Sequence, residues 1–282
     1  MTIRRGGESL GGYNKGSLVL RIITSVVMLI FIFGVIFLGH VALYSIVAIL
    51  FSSLALWEFY KMLEIKYNRI YKGLGLVLSF LLFVSCFPKL QSWFIYLLSL
   101  SLVFLFLLQF TRKSNEHAAL SIGLTLLGLI YITVPFLFII KIRLLPGGIF
   151  FIAYFILVTK ATDIGAYLVG MKFGRHRLIP RISPHKSIEG FIGGIVFALI
   201  FAYLGVFYYP HHLELKYVPA IGFILGLFAQ VGDLAESVLK RDCGFKDSSK
   251  VLPGLGGILD VVDSILLSLP FYYFYITRVV LQ

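Results

Sequence analysis

AALSIGLTLLGLIYITVPFLFII, residues Ala118 to Ile140, runs for 23 residues without a charged side chain. As a helix it would be about 34 Å long, enough to cross a hydrocarbon core of about 30 Å. A strand of a membrane barrel alternates apolar and polar residues, whereas this run is apolar on every side, so a helix is the spanning structure that satisfies its backbone in lipid. Eight similar runs flank it: Ile22 to Gly39, Val41 to Trp57, Leu74 to Phe87, Phe94 to Phe110, Ile149 to Val169, Ile188 to Tyr209, Val218 to Leu239 and Ile258 to Leu281. The third run of the nine is the shortest. Composition agrees: 59% of the chain is hydrophobic, only 13% is charged, and the mean hydropathy is +0.96. Soluble domains carry about 25% charge. The sequence therefore predicts an all-α integral membrane protein of about nine transmembrane helices. It forms one compact domain, with helices 1–5 in residues 1–145 and helices 6–9 with their loops in residues 146–282.

A net charge of +12 raises nucleic acid as a partner, but the placement of the basic residues argues against it. Assigning connections alternately to two sides puts 19 of the 25 lysines and arginines on one side and five on the other, with Lys160 inside a run. That bias places the N-terminus in the cytoplasm and the C-terminus outside. Arg4, Arg5 and Lys15 precede the first run as in a signal peptide, yet the run is long and lacks a small-residue cleavage site, so it reads as a retained helix. Cys86 and Cys243 fall on opposite sides in this topology and do not bridge.

The 13 acidic residues are informative because they are few. Glu58, Glu64, Glu116 and Glu214 read as solvated or interfacial charges. Eight others cluster between the sixth helix and the start of the ninth. Carboxylates in or beside apolar helices cost several kcal/mol unless paired, hydrated or metal-bound. Asp163 follows Lys160 by three residues, as either an internal ion pair or a catalytic group. Asp233 shares a helix face with Glu236 and Lys240. Asp260 and Asp263 lie three apart at the head of the last helix and point the same way. Pro253 to Gly257, PGLGG, precedes them, and its glycines let backbone amides approach an anion at a helix N-terminus. One aspartate would suit the helix dipole, but two facing together repel unless a cation lies between them. With the nearby lysines, the pattern points to Mg²⁺ plus phosphate. The basic loop from Met171 to Gly194 holds Lys172, Arg175, Arg177, Arg181 and Lys186. Within it Ser183 or Ser187 caps the next helix, and Glu189 sits in its first turn. The histidines His176, His185, His211 and His212 carry little weight.

The run from Ser237 to Asp263, S-V-L-K-R-x4-K-D-x-S-x2-L-P-G-x-G-G-I-L-D-x-x-D, resembles the signature of the CDP-diacylglycerol synthase (phosphatidate cytidylyltransferase) family. TDIGAYLVGMKFGR (Thr162 to Arg175) and SPHKSIEGFIGG (Ser183 to Gly194) resemble that family's other cytoplasmic motifs, in the same order. The resemblance implies transfer of the cytidylyl group of CTP to phosphatidate, with one or two Mg²⁺ ions, in a bacterial-type cytoplasmic membrane with the site facing the cytoplasm. It assigns metal binding to Asp233, Asp260 and Asp263. Phosphate neutralisation falls to Lys240, Arg241, Lys246 and Lys186, and a phosphate cradle to the amides around Gly254, Gly256 and Gly257. Asp247, Ser187 and Glu189 would orient these groups. A homodimer is expected, and the glycine spacing of Gly190/Gly194 and Gly222/Gly226 fits close packing either within one chain or between two. Two positions depart from the family pattern: Leu255 stands where a histidine is common and Val261 where an arginine is. Two other readings stay open here. One is a related lipid cytidylyltransferase or lipid kinase with a different acceptor. The other is a transporter whose ion path is lined by Lys160, Asp163 and Asp233, against which stand the lack of an internal repeat and the gathering of charge on one side.

Overall fold

The structure, a computed structural model, describes residues 15–67, 69–208 and 213–281. Arg4, Arg5, Glu8, His211 and His212 lie outside them. The apolar runs fold into helices α1 (Lys15–Leu38), α2 (Val41–Tyr67), α3 (Lys72–Val84), α4 (Phe94–Phe110), α5 (Ala118–Gly128), α6 (Val134–Arg143), α7 (Gly148–Phe173), α8 (Ile188–Tyr208), α9 (Val218–Asp242), α10 (Ile258–Leu266) and α11 (Ser268–Tyr275). The charge-free stretch quoted above forms α5 and α6, one continuous span from Ala118 to Arg143 with a π-turn at Leu129–Thr133. The turn lies just ahead of Pro135, which lacks the N–H that a regular helix would donate to Tyr131, and the wider turn absorbs that break. Pro270 acts in the same way on the last run. It withholds a donor from the Leu266 carbonyl, and α10 ends at Leu266.

Seven helices among the described residues are long and apolar enough to cross a membrane: Val41–Tyr67, Leu90–Phe110, Ala118–Arg143, Gly148–Phe173, Ile188–Phe207, Leu215–Asp242 and Ile258–Val280. The other two expected runs appear as shorter apolar helices, Ile23–Leu38 and Lys72–Val84. The chain is thus an all-α membrane-type bundle with one small addition that the hydropathy pattern did not anticipate. In the basic loop after α7, β1 (Arg177–Ile179) pairs antiparallel with β2 (Ser183–Ser187), Arg177 opposite Ser187 and Ile179 opposite Ser183. Pro180 follows β1 immediately, and the Ile182 amide closes the turn onto the Ile179 carbonyl at 3.0 Å.

Helices α7, α8 and α9 pack tightly because glycines remove the side chains that would hold them apart. A Cβ at Gly190 would stand 2.8 Å from the Ala166 carbonyl oxygen of α7, and one at Gly226 would stand 2.8 Å from the Ala198 side chain of α8. Gly194 and Gly222 likewise face Gln230 and Ala202. All four glycines are therefore spent inside the chain. The N-terminal half joins this unit through α2, which lies against α10 and against α6. At its C-terminal end, Lys66 Nζ and Tyr67 Oη donate to the Asp242 carboxylate at the end of α9, at 2.7 and 2.6 Å.

Candidate functional site

The loop from Cys243 to Gly257 carries the sequence toward α10 and is closed by its own backbone. Leu252 and Gly256 exchange hydrogen bonds of 2.8 and 3.1 Å, and the Leu255 amide also donates to the Leu252 carbonyl at 3.1 Å. Gly254 and Gly256 take φ values of 80° and 97°, the left-handed region that glycine enters without steric cost. Thr24 of α1 donates to the Pro253 carbonyl at 3.1 Å. The first amides of α10 are also taken. Gly257 N–H donates to Asp260 Oδ2 at 2.7 Å, Ile258 N–H to Glu58 Oε1 at 3.1 Å, and Leu259 N–H to Glu58 Oε2 at 2.9 Å.

Two sequence expectations are corrected by these bonds. The amides of Leu255, Gly256 and Gly257 hold protein acceptors, which leaves this turn fewer amides to offer a phosphate than its glycines suggest. Glu58, read from sequence as a solvated or interfacial charge, is buried. It is the acceptor for two α10 amides and for Ser249 Oγ at 2.7 Å, with Ser248 Oγ at 3.2 Å. A helix N-terminus is an anion site, and here the anion is a side chain from another helix. Gly257 makes that approach possible: a Cβ there would stand 2.4 Å from Glu58 Oε2 and 2.1 Å from Ser248 Oγ. We therefore expect Gly257→Ala to push Glu58 off α10 and lower the melting temperature in detergent. A Tm equal to that of the unsubstituted chain would remove Gly257 from this role.

Asp260 is also more committed than the sequence implied. Its Oδ2 accepts from Gly257 N–H, Ser248 N–H (2.9 Å) and Ser248 Oγ (2.8 Å), and its Oδ1 from Lys240 Nζ (2.6 Å). A carboxylate offers about four acceptor directions in total, so only Oδ1, shared with an ammonium, retains capacity. Lys240 is buried and also pairs with the fully buried Glu236 one turn back on α9. The triad of Glu236, Lys240 and Asp260 locks α9 to α10. The Arg241 guanidinium donates to the Ile182 and Phe245 carbonyls at 3.2 and 3.1 Å, tying the β-hairpin to the end of α9. Lys246 and Asp247 are exposed on the loop. Ser187 Oγ accepts from the Gly190 amide at 3.1 Å, so Ser187 rather than Ser183 caps α8. Glu189 accepts from the Arg175 and His176 amides at 3.1 and 3.2 Å and lies 2.7 Å from His176 Nδ1, which pins the turn after α7.

A cavity of about 960 Å³ opens among α1, α7, α9, α10 and the hairpin. Asp163, Asp233, Asp260 and Asp263 line it, together with Lys160, Arg177, His185, Lys186 and Ser187. Neither Lys240, Arg241, Lys246 nor Asp247 is among its lining residues. Lys186 Nζ lies 2.6 Å from Asp233 Oδ2. Lys160 Nζ reaches Asp163 Oδ2 at 3.0 Å, Ser264 Oγ at 3.1 Å and the Val261 carbonyl at 3.2 Å. A cation thus stands beside position 261 although the residue there is valine. Asp263, nearly buried, lies within electrostatic reach of Asp233, Glu236, Asp163 and Lys160. Among the described residues no three His, Cys, Asp or Glu side chains converge into a ready-made metal cage. Of the four lining aspartates Asp260 carries the fullest set of donors, whereas Asp163 accepts from Lys160 and Ser264 on Oδ2, Asp233 pairs with Lys186, and Asp263 accepts from the Ser264 amide, so these three keep acceptor capacity. Sequence reasoning misread Glu58 as a solvated or interfacial charge, missed Ser248, left Lys160 undecided and gave Arg177 only a place in the basic loop. A lone glutamate after an apolar run carries no local sign of the amides it will meet.

Fold and site together define a polytopic membrane protein with one cavity in which carboxylates and ammonium groups are interleaved. Such a cavity suits a phosphate-bearing substrate handled with a hard cation. The cytidylyltransferase family model matches residues 19–279, and the chain belongs to that family. It is 36% identical over 261 residues to a phosphatidate cytidylyltransferase of Bacillus subtilis, covering 90% of this chain and 96% of the relative. It is 34% identical over 255 residues to the enzyme of that name from Staphylococcus haemolyticus, covering 89% and 96%. The Staphylococcus aureus protein is 32% identical over the same length and coverage.

Proposed function

We propose that the chain transfers the cytidylyl group of CTP to phosphatidate, releasing pyrophosphate and forming CDP-diacylglycerol. The observation that carries this reading is the joining of Asp233 and Asp263 with Lys160 and Lys186 in one cavity, in a chain similar along nearly its whole length to phosphatidate cytidylyltransferases. The reaction brings an anionic lipid phosphate against the α-phosphate of an anionic nucleotide, so its barrier is one of positioning and charge neutralisation.

Asp233 and Asp263 fit Mg²⁺ as ligands, because that ion takes one or two carboxylates and fills its other positions with water and substrate oxygens. The ion would neutralise charge on the transferring and leaving phosphates. Asp260, bonded to Lys240, Ser248 and Gly257, holds the position of the α10 head that carries Asp263. The Lys186–Asp233 ion pair keeps both charges compensated before substrate arrives. With a cation held by Asp233, the Lys186 ammonium would be available to a phosphate oxygen. Arg177 and His185 extend the basic wall on the hairpin side. Lys246 and Arg241 act from the loop and the α9 end, as a solvent-facing charge and a structural tie. Around this centre we place nine crossings, with α1 and α3 as the short ones, the N-terminus in the cytoplasm, and the cavity on the cytoplasmic side of a bacterial inner membrane. Since the four packing glycines are used internally, the expected homodimer would need another face.

The test uses purified protein with CTP labelled separately in its α- and γ-phosphates, offered phosphatidate, a prenyl phosphate and a prenyl alcohol. The expected result is α-label in a phosphatidate-derived lipid, abolished by EDTA and restored by Mg²⁺. Transfer of γ-label to a lipid alcohol would replace this reading with a kinase. Label entering only the prenyl phosphate would replace the acceptor.

A further inference from the structure

The charged cavity continues into a second, apolar one. A slot of about 100 Å³ lies between α1, α2, α6, α7 and α10, and every side chain lining it is apolar or aromatic except Lys160. The two spaces share Ile32, Ile156, Lys160 and Val261. Lys160 therefore stands at the junction, with about a third of its side chain open (32%) and its ammonium held by Asp163, Ser264 and the Val261 carbonyl. Beyond it, the slot is walled by Phe51, Ala48 and Val47 of α2 and by Val262 and Ile265 of α10. Its far end is made by Ile36, Tyr44 and Ile139. They lie near Gly39, since Arg143, one turn beyond Ile139, donates to the Gly39 carbonyl at 3.4 Å. Tyr44 to Phe51 spans about 10 Å along α2.

A cationic junction between a charged chamber and a dry slot matches one chemistry, an anionic head group with a hydrocarbon tail. Lysine suits such a boundary because its stem packs on apolar surface while its ammonium stays with polar partners. We propose that one acyl chain of the lipid acceptor leaves the bilayer and enters this slot, with Lys160 positioning the lipid phosphate at its mouth. The slot then sets which chain lengths are accepted. This inference rests on the lipid-phosphate acceptor read above.

The test compares dihexanoyl and dioleoyl phosphatidate as acceptors for purified full-length protein, following α-labelled CTP into lipid. Val47→Phe fills the slot from α2, and Phe51→Ala enlarges it. With Val47→Phe the ratio of kcat/KM for dioleoyl over dihexanoyl substrate should fall about tenfold, the equivalent of two methylenes denied burial. With Phe51→Ala the ratio should rise, because the enlarged slot buries more of the longer chain. For Lys160→Gln, KM for both phosphatidates should rise while KM for CTP stays the same. A chain-length ratio unmoved in both slot variants would overturn the inference, whatever the variants do to overall rate. Failure of the unsubstituted protein to label either phosphatidate would instead overturn the acceptor assignment itself.

Discussion

Asp263→Asn and Asp233→Asn are each expected to lower CTP turnover by about 10² to 10³-fold, the usual scale for removing one preorganised electrostatic group from a transition state. The Asn side chain keeps the size of Asp and an acceptor oxygen, so the 2.5 Å bond from Ser264 N–H to Asp263 Oδ1 survives in the variant. What is lost is negative charge facing the cavity. Asp263 is crowded by Asp233, Glu236 and Asp163, with Lys160 opposing them, so removing its charge relieves repulsion. Melting temperature in detergent should therefore hold while turnover falls and the Mg²⁺ concentration for half-maximal rate rises. Stability retained with activity lost separates a metal ligand from a structural carboxylate. Near-normal turnover with an unchanged Mg²⁺ response in either variant would end its assignment as a ligand.

The second large effect is expected at a residue far from the reacting groups. Glu58→Ala strips acceptors from the Ile258 and Leu259 amides and from Ser249, all in partly or fully buried surroundings. Unpaired buried donors cost about 1–3 kcal/mol each before relaxation, so a net loss of about 2–3 kcal/mol is expected. For a chain of this size that lowers Tm by roughly 5–10 °C. The head of α10 would also shift, and Asp260 and Asp263 with it, so turnover should fall about tenfold or more through mispositioning. Glu64, half-buried near the surface and paired with Lys72 at 2.7 Å, supplies the contrast. A surface pair of that kind contributes about 1 kcal/mol at most, and Glu64→Gln should be nearly silent in both measurements. Equal effects from the Glu58 and Glu64 substitutions would remove Glu58 from its role as the anion of α10.

Glu58 also explains why the N-terminal half belongs to the site although its sequence signals nothing but hydropathy. Its carboxylate on α2 fixes the signature loop, while Lys66 and Tyr67 fix the end of α9 through Asp242. Both ends of the connection from α9 to α10 within the signature, Asp242 and Leu259, are thus held by one helix from the opposite half of the chain.

Hydropathy is a local property. Whether a run such as Ala118 to Arg143 can cross a bilayer depends on its own length and side chains, and so the helical class and most spans could be read along the chain. The motifs were local too, and Asp233, Asp260, Asp263, Lys186 and Ser187 all line one cavity. Which of these groups stay available depends on partners that spacing does not encode. The glycine pattern of PGLGG announced amides that an anion could approach closely, but not that the anions would be Asp260 and Glu58, the latter about 200 residues away. Lys240 and Arg241 looked like phosphate binders until packing placed them against Glu236, Asp260, Ile182 and Phe245. Lys160 does form the ion pair with Asp163 that the spacing allowed, but only the closing of α1, α2 and α10 around it puts it at the mouth of an apolar slot. Sequence alone determined the helices, the charged motifs and their chemical kind. Tertiary packing allotted the hydrogen-bonding capacity of each charge, because a carboxylate or an ammonium satisfied by the fold has fewer bonds left for a substrate.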